Sequence, residues 1–132
     1  MTFKLLTNDL YISAQLTQNL IEQASKDGIK TIINNRPDQE EVNQPLSDEL
    51  EKKALELGLH YAHLPVNPGE FTHEDAKKFV QILEQNPAPY LAFCRTGNRS
   101  CNLWALSQRN IHSKENLHQK VNNVGFKLTS NI

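Results

Sequence analysis

A chain of 132 residues, 38% hydrophobic and 22% charged, has the size and apolar content for one packed domain, and 1–132 reads as a single unit. Its formal net charge is −1, and its fourteen Lys and Arg form no basic run, which argues against a nucleic-acid partner. No apolar stretch is long enough to cross a bilayer, no secretory signal pattern opens the chain, and two cysteines make no disulfide framework; the expectation is a reduced, cytoplasmic protein with no membrane contact.

The first predicted strand is 10–13, Leu-Tyr-Ile-Ser. Thr17 opens a helix to Lys26 that carries Leu16, Leu20, Ile21 and Ala24 on one face, and Asp27-Gly28 ends it. The β-branched run 29–35 is a strand, followed by a polar loop over 36–45. Ser47 is expected to cap a helix over 48–57, with Leu50, Ala54 and Leu57 spaced for burial and Gly58 as its stop. A strand over 60–66 leads into the turn Asn67-Pro68-Gly69-Glu70, and Thr72 caps a third helix whose inner face is Ala76, Phe79, Val80 and Leu83. The apolar strand 89–93 delivers Cys94 to a loop, and a helix over 99–109 follows with Leu103, Trp104 and Leu106. Ser113 caps a last helix ending near Gly125, and the segment from Lys127 is expected to fray. Alternating strands and helices predict an α/β fold with a mainly parallel sheet flanked by helices, and put the Cys94 loop at the sheet's carboxyl edge.

That loop reads Cys94-Arg95-Thr96-Gly97-Asn98-Arg99-Ser100. A strand end, a tight turn and a helix start aim backbone N–H groups and the helix dipole at one point, where an anion binds well. Gly97 allows the chain to curl, and Arg99 offers a planar fork of donors to a tetrahedral oxyanion. The same field favours a thiolate at Cys94, with Ser100 as a donor to it. Cys94 is therefore the candidate nucleophile, and Arg95, Thr96, Gly97, Asn98, Arg99 and Ser100 are the candidate anion-binding residues. Taken singly, a cysteine at a strand end is more often a buried packing residue; its combination with Gly, Arg and Ser at a strand-to-helix junction favours chemistry.

The strand–Cys loop–Arg–Ser–helix plan resembles the protein tyrosine and dual-specificity phosphatases, whose loop has five residues between Cys and Arg. Here four lie between Cys94 and Arg99, and that shorter loop resembles the rhodanese loop that cradles a persulfide. The opening Leu10-Tyr11-Ile12-Ser13-Ala14-Gln15, then 28–34, Asn35-Arg36-Pro37-Asp38 and His63-Leu64-Pro65-Val66, resemble the bacterial phosphatase-like domain of beta-lactamase-hydrolase-like proteins over roughly 3–110. Some relatives carry this domain fused to metallo-beta-lactamase-like or sulfide:quinone reductase modules.

The resemblance implies a cysteine-phosphatase-like fold and a cysteine-dependent hydrolase of weak activity on a phosphate ester. Its alternatives are a sulfurtransferase carrying a Cys94 persulfide, or a module that binds an anion without turnover. Two positions depart from the phosphatase pattern. Phe93 stands where His usually precedes the nucleophile, and Asn67 stands where the loop usually supplies an acidic proton donor. Asp38 and Glu70 are the carboxylates in line to replace it, Asp38 being the candidate catalytic one. A loop salt bridge or turn accounts for Arg36 and Asp38 equally well. Cys101 is expected to pack as a small apolar residue. The five histidines show no metal spacing, so neither metal nor other cofactor is expected. The expected partner is a small anionic, phosphorylated or sulfur-carrying substrate.

Overall fold

The computed structural model describes residues 3–129. Five strands, β1 (Lys4–Leu5), β2 (Leu10–Ser13), β3 (Thr31–Asn34), β4 (His60–His63) and β5 (Tyr90–Phe93), form one sheet in the order β1-β2-β5-β3-β4. Only β1 runs antiparallel, paired with β2. The helices are α1 (Gln18–Lys26), α2 (Ser47–Glu56), α3 (His73–Gln85), α4 (Asn98–Ser107) and α5 (Lys114–Asn123). The α/β architecture with a mainly parallel, helix-flanked sheet is as the alternation predicts.

The central strands β3 and β5 are buried on both faces because helices cover both. Side chains alternate across a strand, so Ile32, Leu91 and Phe93 pack with Ile21 and Ala24 of α1 and Leu50 and Ala54 of α2. Ile12, Ile33 and Ala92 face the other way, against Phe79 of α3, Leu103 and Trp104 of α4, and Leu117 and Val121 of α5. Fully burying each such aliphatic side chain contributes about 1.5–3 kcal/mol, so the two layers dominate the fold's stability. Cys101 belongs to the second layer, fully buried, as its apolar neighbours suggest.

Several boundaries differ from the sequence expectation. The strands are shorter, since β3 and β4 pair only over four register positions and the chain then turns away as loop. β1 carries only two residues and no alternating pattern, and its pairing with β2 fixes it. Ser47 does not cap α2 but lies inside it: Leu46 is the N-cap, and its side chain makes no capping bond. The Ser47 hydroxyl pairs with the Tyr61 hydroxyl at 2.8 Å, while the Ser47 amide donates to Asp38 Oδ1 at 2.8 Å. The cap thus comes from nine residues upstream. Thr72 forms the expected cap, with Asp75 completing a capping box, and Ser113 caps α5.

Residues 127–129 are held rather than frayed. Asn102 Nδ2 donates to the Lys127 carbonyl at 3.0 Å, Asn98 Oδ1 accepts from the Lys127 amide at 3.3 Å, and Asn102 Oδ1 accepts from the Thr129 amide at 2.7 Å. The remainder of that expectation, 130–132, lies outside the described residues.

Candidate functional site

The strand order brings the site together. β5 lies between β2 and β3, all three parallel, with Phe93 in register with Ser13 on one side and Asn34 on the other. The residues just past those three strand ends therefore meet at one carboxyl edge: Gln15, Asn35-Arg36 and Cys94-Arg95. Two backbone bonds fasten the edge, the Asn35 amide to the Phe93 carbonyl at 2.8 Å and the Gln15 amide to the Arg95 carbonyl at 3.2 Å. In open parallel sheets this edge is where ligands bind.

Cys94 is fully buried beneath its own loop, and the Gly97 amide donates to its Sγ at 3.1 Å. Gly97 has φ 102, a left-handed conformation that L side chains rarely adopt. A Cβ there would also lie 2.7 Å from Phe126 Cζ and 3.0 Å from Ile12 Cγ2. Glycine is thus required twice over, by backbone angle and by space. α4 begins at the next residue and adds its dipole to the loop.

Arg99 is buried, and its donors can be accounted for one by one. Nη1 donates to Glu40 Oε2 at 2.8 Å and to the Val66 carbonyl at 2.9 Å; Nη2 donates to Glu40 Oε1 at 2.8 Å. A guanidinium has five N–H groups, so Nε–H and one Nη2–H remain, shared between the Cys94 sulfur, to which Arg99 also hydrogen-bonds, and an anion bound beside it. Burial lowers the Arg99 pKa, but Glu40 and the Cys94 sulfur outweigh it, and the net shift is upward. Arg99 is thereby a permanent cation beside the sulfur.

Glu40 was not singled out from the sequence, because it lies in a loop with no periodicity and reaches Arg99 across 59 residues of chain. It also accepts from Arg36 Nε at 2.8 Å. The hydrogen bond from Arg99, and then that from Arg36, outweigh desolvation and lower its pKa to about 2. Gln39, at φ 66, turns the chain immediately before it. Arg36 is itself buried, with Nη1 on Gln15 Oε1 at 2.9 Å and Nη2 on Glu41 Oε1 at 2.7 Å in addition to its Nε bond to Glu40. A loop salt bridge, one of the two readings of Arg36, is what it makes.

The other expected residues fall as follows. Ser100 does not meet the sulfur: its hydroxyl donates to Asn35 Oδ1 at 2.8 Å. Thr96 points outward and its Oγ1 accepts from the Asn98 amide at 3.2 Å. Arg95 is exposed beside Glu41. Asp38 is bound to the α2 amide of Ser47, and among the described residues no contact joins it to Cys94 or Arg99. Asn67 and Glu70 are exposed in the loop after β4, where the Glu70 amide donates to the Asn67 carbonyl at 3.1 Å. Among the described residues no group of three His, Cys, Asp or Glu is placed to hold a metal ion, and no helix is long and apolar enough to cross a membrane.

Three clefts open around the loop. One of about 360 Å³ lies between Glu40, Pro68, Arg95 and Arg99, and one of about 180 Å³ lies between Phe71, Thr96, Arg99 and Thr129. The largest, about 660 Å³, runs from Arg95 past Gln15 and Arg36 to Val42 and Pro45. A buried cation that contacts the cysteine sulfur and lines two of these clefts can accept a tetrahedral anion beside that sulfur.

Comparison with known proteins agrees with this geometry. Residues 2–111 match the family described as beta-lactamase hydrolase-like protein, phosphatase-like domain. A beta-lactamase hydrolase-like protein of Xylella fastidiosa is 34% identical over 99 residues, 75% of this chain and 23% of its own length. The chain thus spans about a quarter of that curated relative. A Neisseria meningitidis protein provisionally assigned as a phosphatase, solved by crystallography, is 34% identical with a TM-score of 0.87, covering 96% of this chain and 91% of its own. The Pseudomonas aeruginosa protein TpbA, solved with phosphotyrosine, shares the fold at 13% identity with a TM-score of 0.66, covering 90% of this chain and 70% of its own.

Proposed function

Because the chain belongs to the phosphatase-like domain family of beta-lactamase hydrolase-like proteins, we propose that it is a cysteine-dependent hydrolase of phosphate monoesters, most active on aryl esters. The observation that carries the proposal is the donor account at Arg99. Glu40 and the Val66 carbonyl take three of its N–H groups, leaving two for the Cys94 sulfur, which Arg99 also contacts, and for an anion held against it. Cys94 Sγ attacks phosphorus, the bond to the ester oxygen breaks, and the alcohol or phenol leaves. Water then attacks the thiophosphate, releasing inorganic phosphate and restoring the thiolate. Arg99 and the positive end of α4 stabilise the charge on the phosphoryl oxygens throughout.

The leaving oxygen needs a proton, more so when it is an alkoxide. Glu40 is held ionised by two guanidiniums, Asp38 is engaged at the start of α2 and Glu70 lines none of the three clefts, so none of these carboxylates supplies it readily. Loss of a general acid typically costs about two to four powers of ten in rate. Phenolic esters, whose oxyanions leave unaided, are therefore the preferred substrates. The same observation favours a second reading, sulfur transfer through a Cys94 persulfide, because a thiolate leaves without an acid.

One experiment separates the two. The protein is exposed separately to an aryl phosphate and to thiosulfate, acid-quenched, and the Cys94 peptide is weighed. A trapped thiophosphate with steady release of phenol and phosphate, absent in Cys94→Ser, supports hydrolysis. A persulfide from thiosulfate with no phosphate release from the aryl ester overturns it in favour of sulfur transfer.

A further inference from the structure

Three guanidiniums surround the candidate site, and two of them are matched closely by carboxylates. Arg36 and Arg99 contact Glu40 and Glu41 at 2.7–2.8 Å. Arg95 is different. Its side chain is 62% exposed, its nearest carboxylate is Glu41 at 4.0 Å, and the same Glu41 oxygen is held by Arg36 at 2.7 Å. Arg95 is thus the least neutralised of the three cations. It also borders all three clefts, including the one of about 660 Å³. Pro45 and the fully exposed Val42 also line that cleft. The space greatly exceeds what a phosphate fills, and its lining combines a cation with apolar contacts.

From this geometry we propose that Arg95 is a specificity-determining residue, selecting phosphorylated polypeptide segments that carry an acidic side chain beside the phosphoresidue. The inference rests on the hydrolase reading for its reaction and names the substrate class of the same site. The phosphoryl group enters the loop above Cys94, the neighbouring carboxylate meets the Arg95 guanidinium, and a following apolar residue lies along Val42 and Pro45. Arg95 acts on binding, while Arg99 acts on the reacting group.

The test uses three phosphotyrosine peptides alike except for Glu, Gln or Lys on both flanks of the phosphotyrosine. The expected kcat/KM order is Glu, Gln, Lys, with about three- to fivefold between Glu and Gln, the size of one exposed ion pair. Arg95→Ala is expected to collapse the Glu-to-Gln ratio to near one, and Arg95→Glu to reverse the order. Lys52→Glu, which makes the same charge change on a distant cleft between α1 and α2, is expected to leave the order intact. The order is also read without turnover, from fluorescence anisotropy of the labelled peptides on Cys94→Ser. Selective binding to that variant without hydrolysis by the native protein would overturn the hydrolase reading while supporting Arg95 as the selector. Equal binding of the three peptides, or an order unchanged by Arg95→Glu, would overturn the Arg95 proposal.

Discussion

At the scale of single residues, Glu40 decides how Arg99 presents itself. Its two oxygens fix the Nη1/Nη2 edge of the guanidinium and leave the Nε edge for the loop. Because its folded-state pKa is lowered from 4.5 to about 2, the stability it contributes is present above the ordinary carboxylate range. That contribution disappears as the pH falls from about 4.5 toward 2. Glu40→Gln is expected to be less stable at neutral pH and to lose less stability on acidification, read from urea midpoints across that interval. Parallel curves for the two proteins would show that the ion pair contributes nothing to folding. The sequence could not display Glu40, since its partners Arg36 and Arg99 come from two elements that only the parallel pairing of β3 and β5 makes adjacent.

At the scale of elements, the link from Asp38 to α2 separates two roles that sequence reasoning left open. A carboxylate on the Ser47 amide satisfies one of the unpaired donors of the helix's first turn and opposes its dipole. Asp38→Ala is expected to cost about 1 kcal/mol, as lost caps do. A melting temperature lower by a few degrees, with kcat on an aryl phosphate changed little, is the outcome to expect. An unchanged melting temperature with kcat reduced about a hundredfold would make Asp38 the proton donor. Helices with local signals were legible in the sequence: Thr72 and Ser113 cap where expected, the capping box with Asp75 being added by the structure. α2 was misread at its start because its cap is a long-range contact, while a serine stands at the position that imitates a local one. β1 was invisible for a related reason, being two residues whose structure comes from pairing with β2.

For the whole molecule, the site and the core are one construction. Cys94, Arg99 and Ser100 are all buried, so an anion that joins them binds the folded state alone. Sulfate or phosphate is accordingly expected to stabilise the fold by mass action, by about 2.7 kcal/mol at one hundred times Kd, and so to raise the melting temperature. Arg99→Ala is expected to abolish the rise, read by thermal shift at constant ionic strength. A rise that survives the substitution would move the anion site elsewhere. The Cys loop itself was legible because it is contiguous, a strand end, glycine and arginine within seven residues. The two things that complete it were not: the loop over 36–45 and the strap over 127–129 approach from distant parts of the chain, and no local pattern encodes their arrival.

The strap has one more consequence, for the topology of the chain. Lys4 Nζ donates to the Val124 carbonyl at 3.0 Å and lies 5.2 Å from the centre of the Phe126 ring, the ring that packs on Gly97. Segments from the two opposite ends of the described chain thus lie side by side directly beneath the loop that holds the sulfur. Joining them through a short linker and opening the chain instead at the exposed turn 67–70 would keep the sequence of strands around the sheet intact. In such a circular permutant the floor of the Cys94 loop would become an unbroken stretch of backbone.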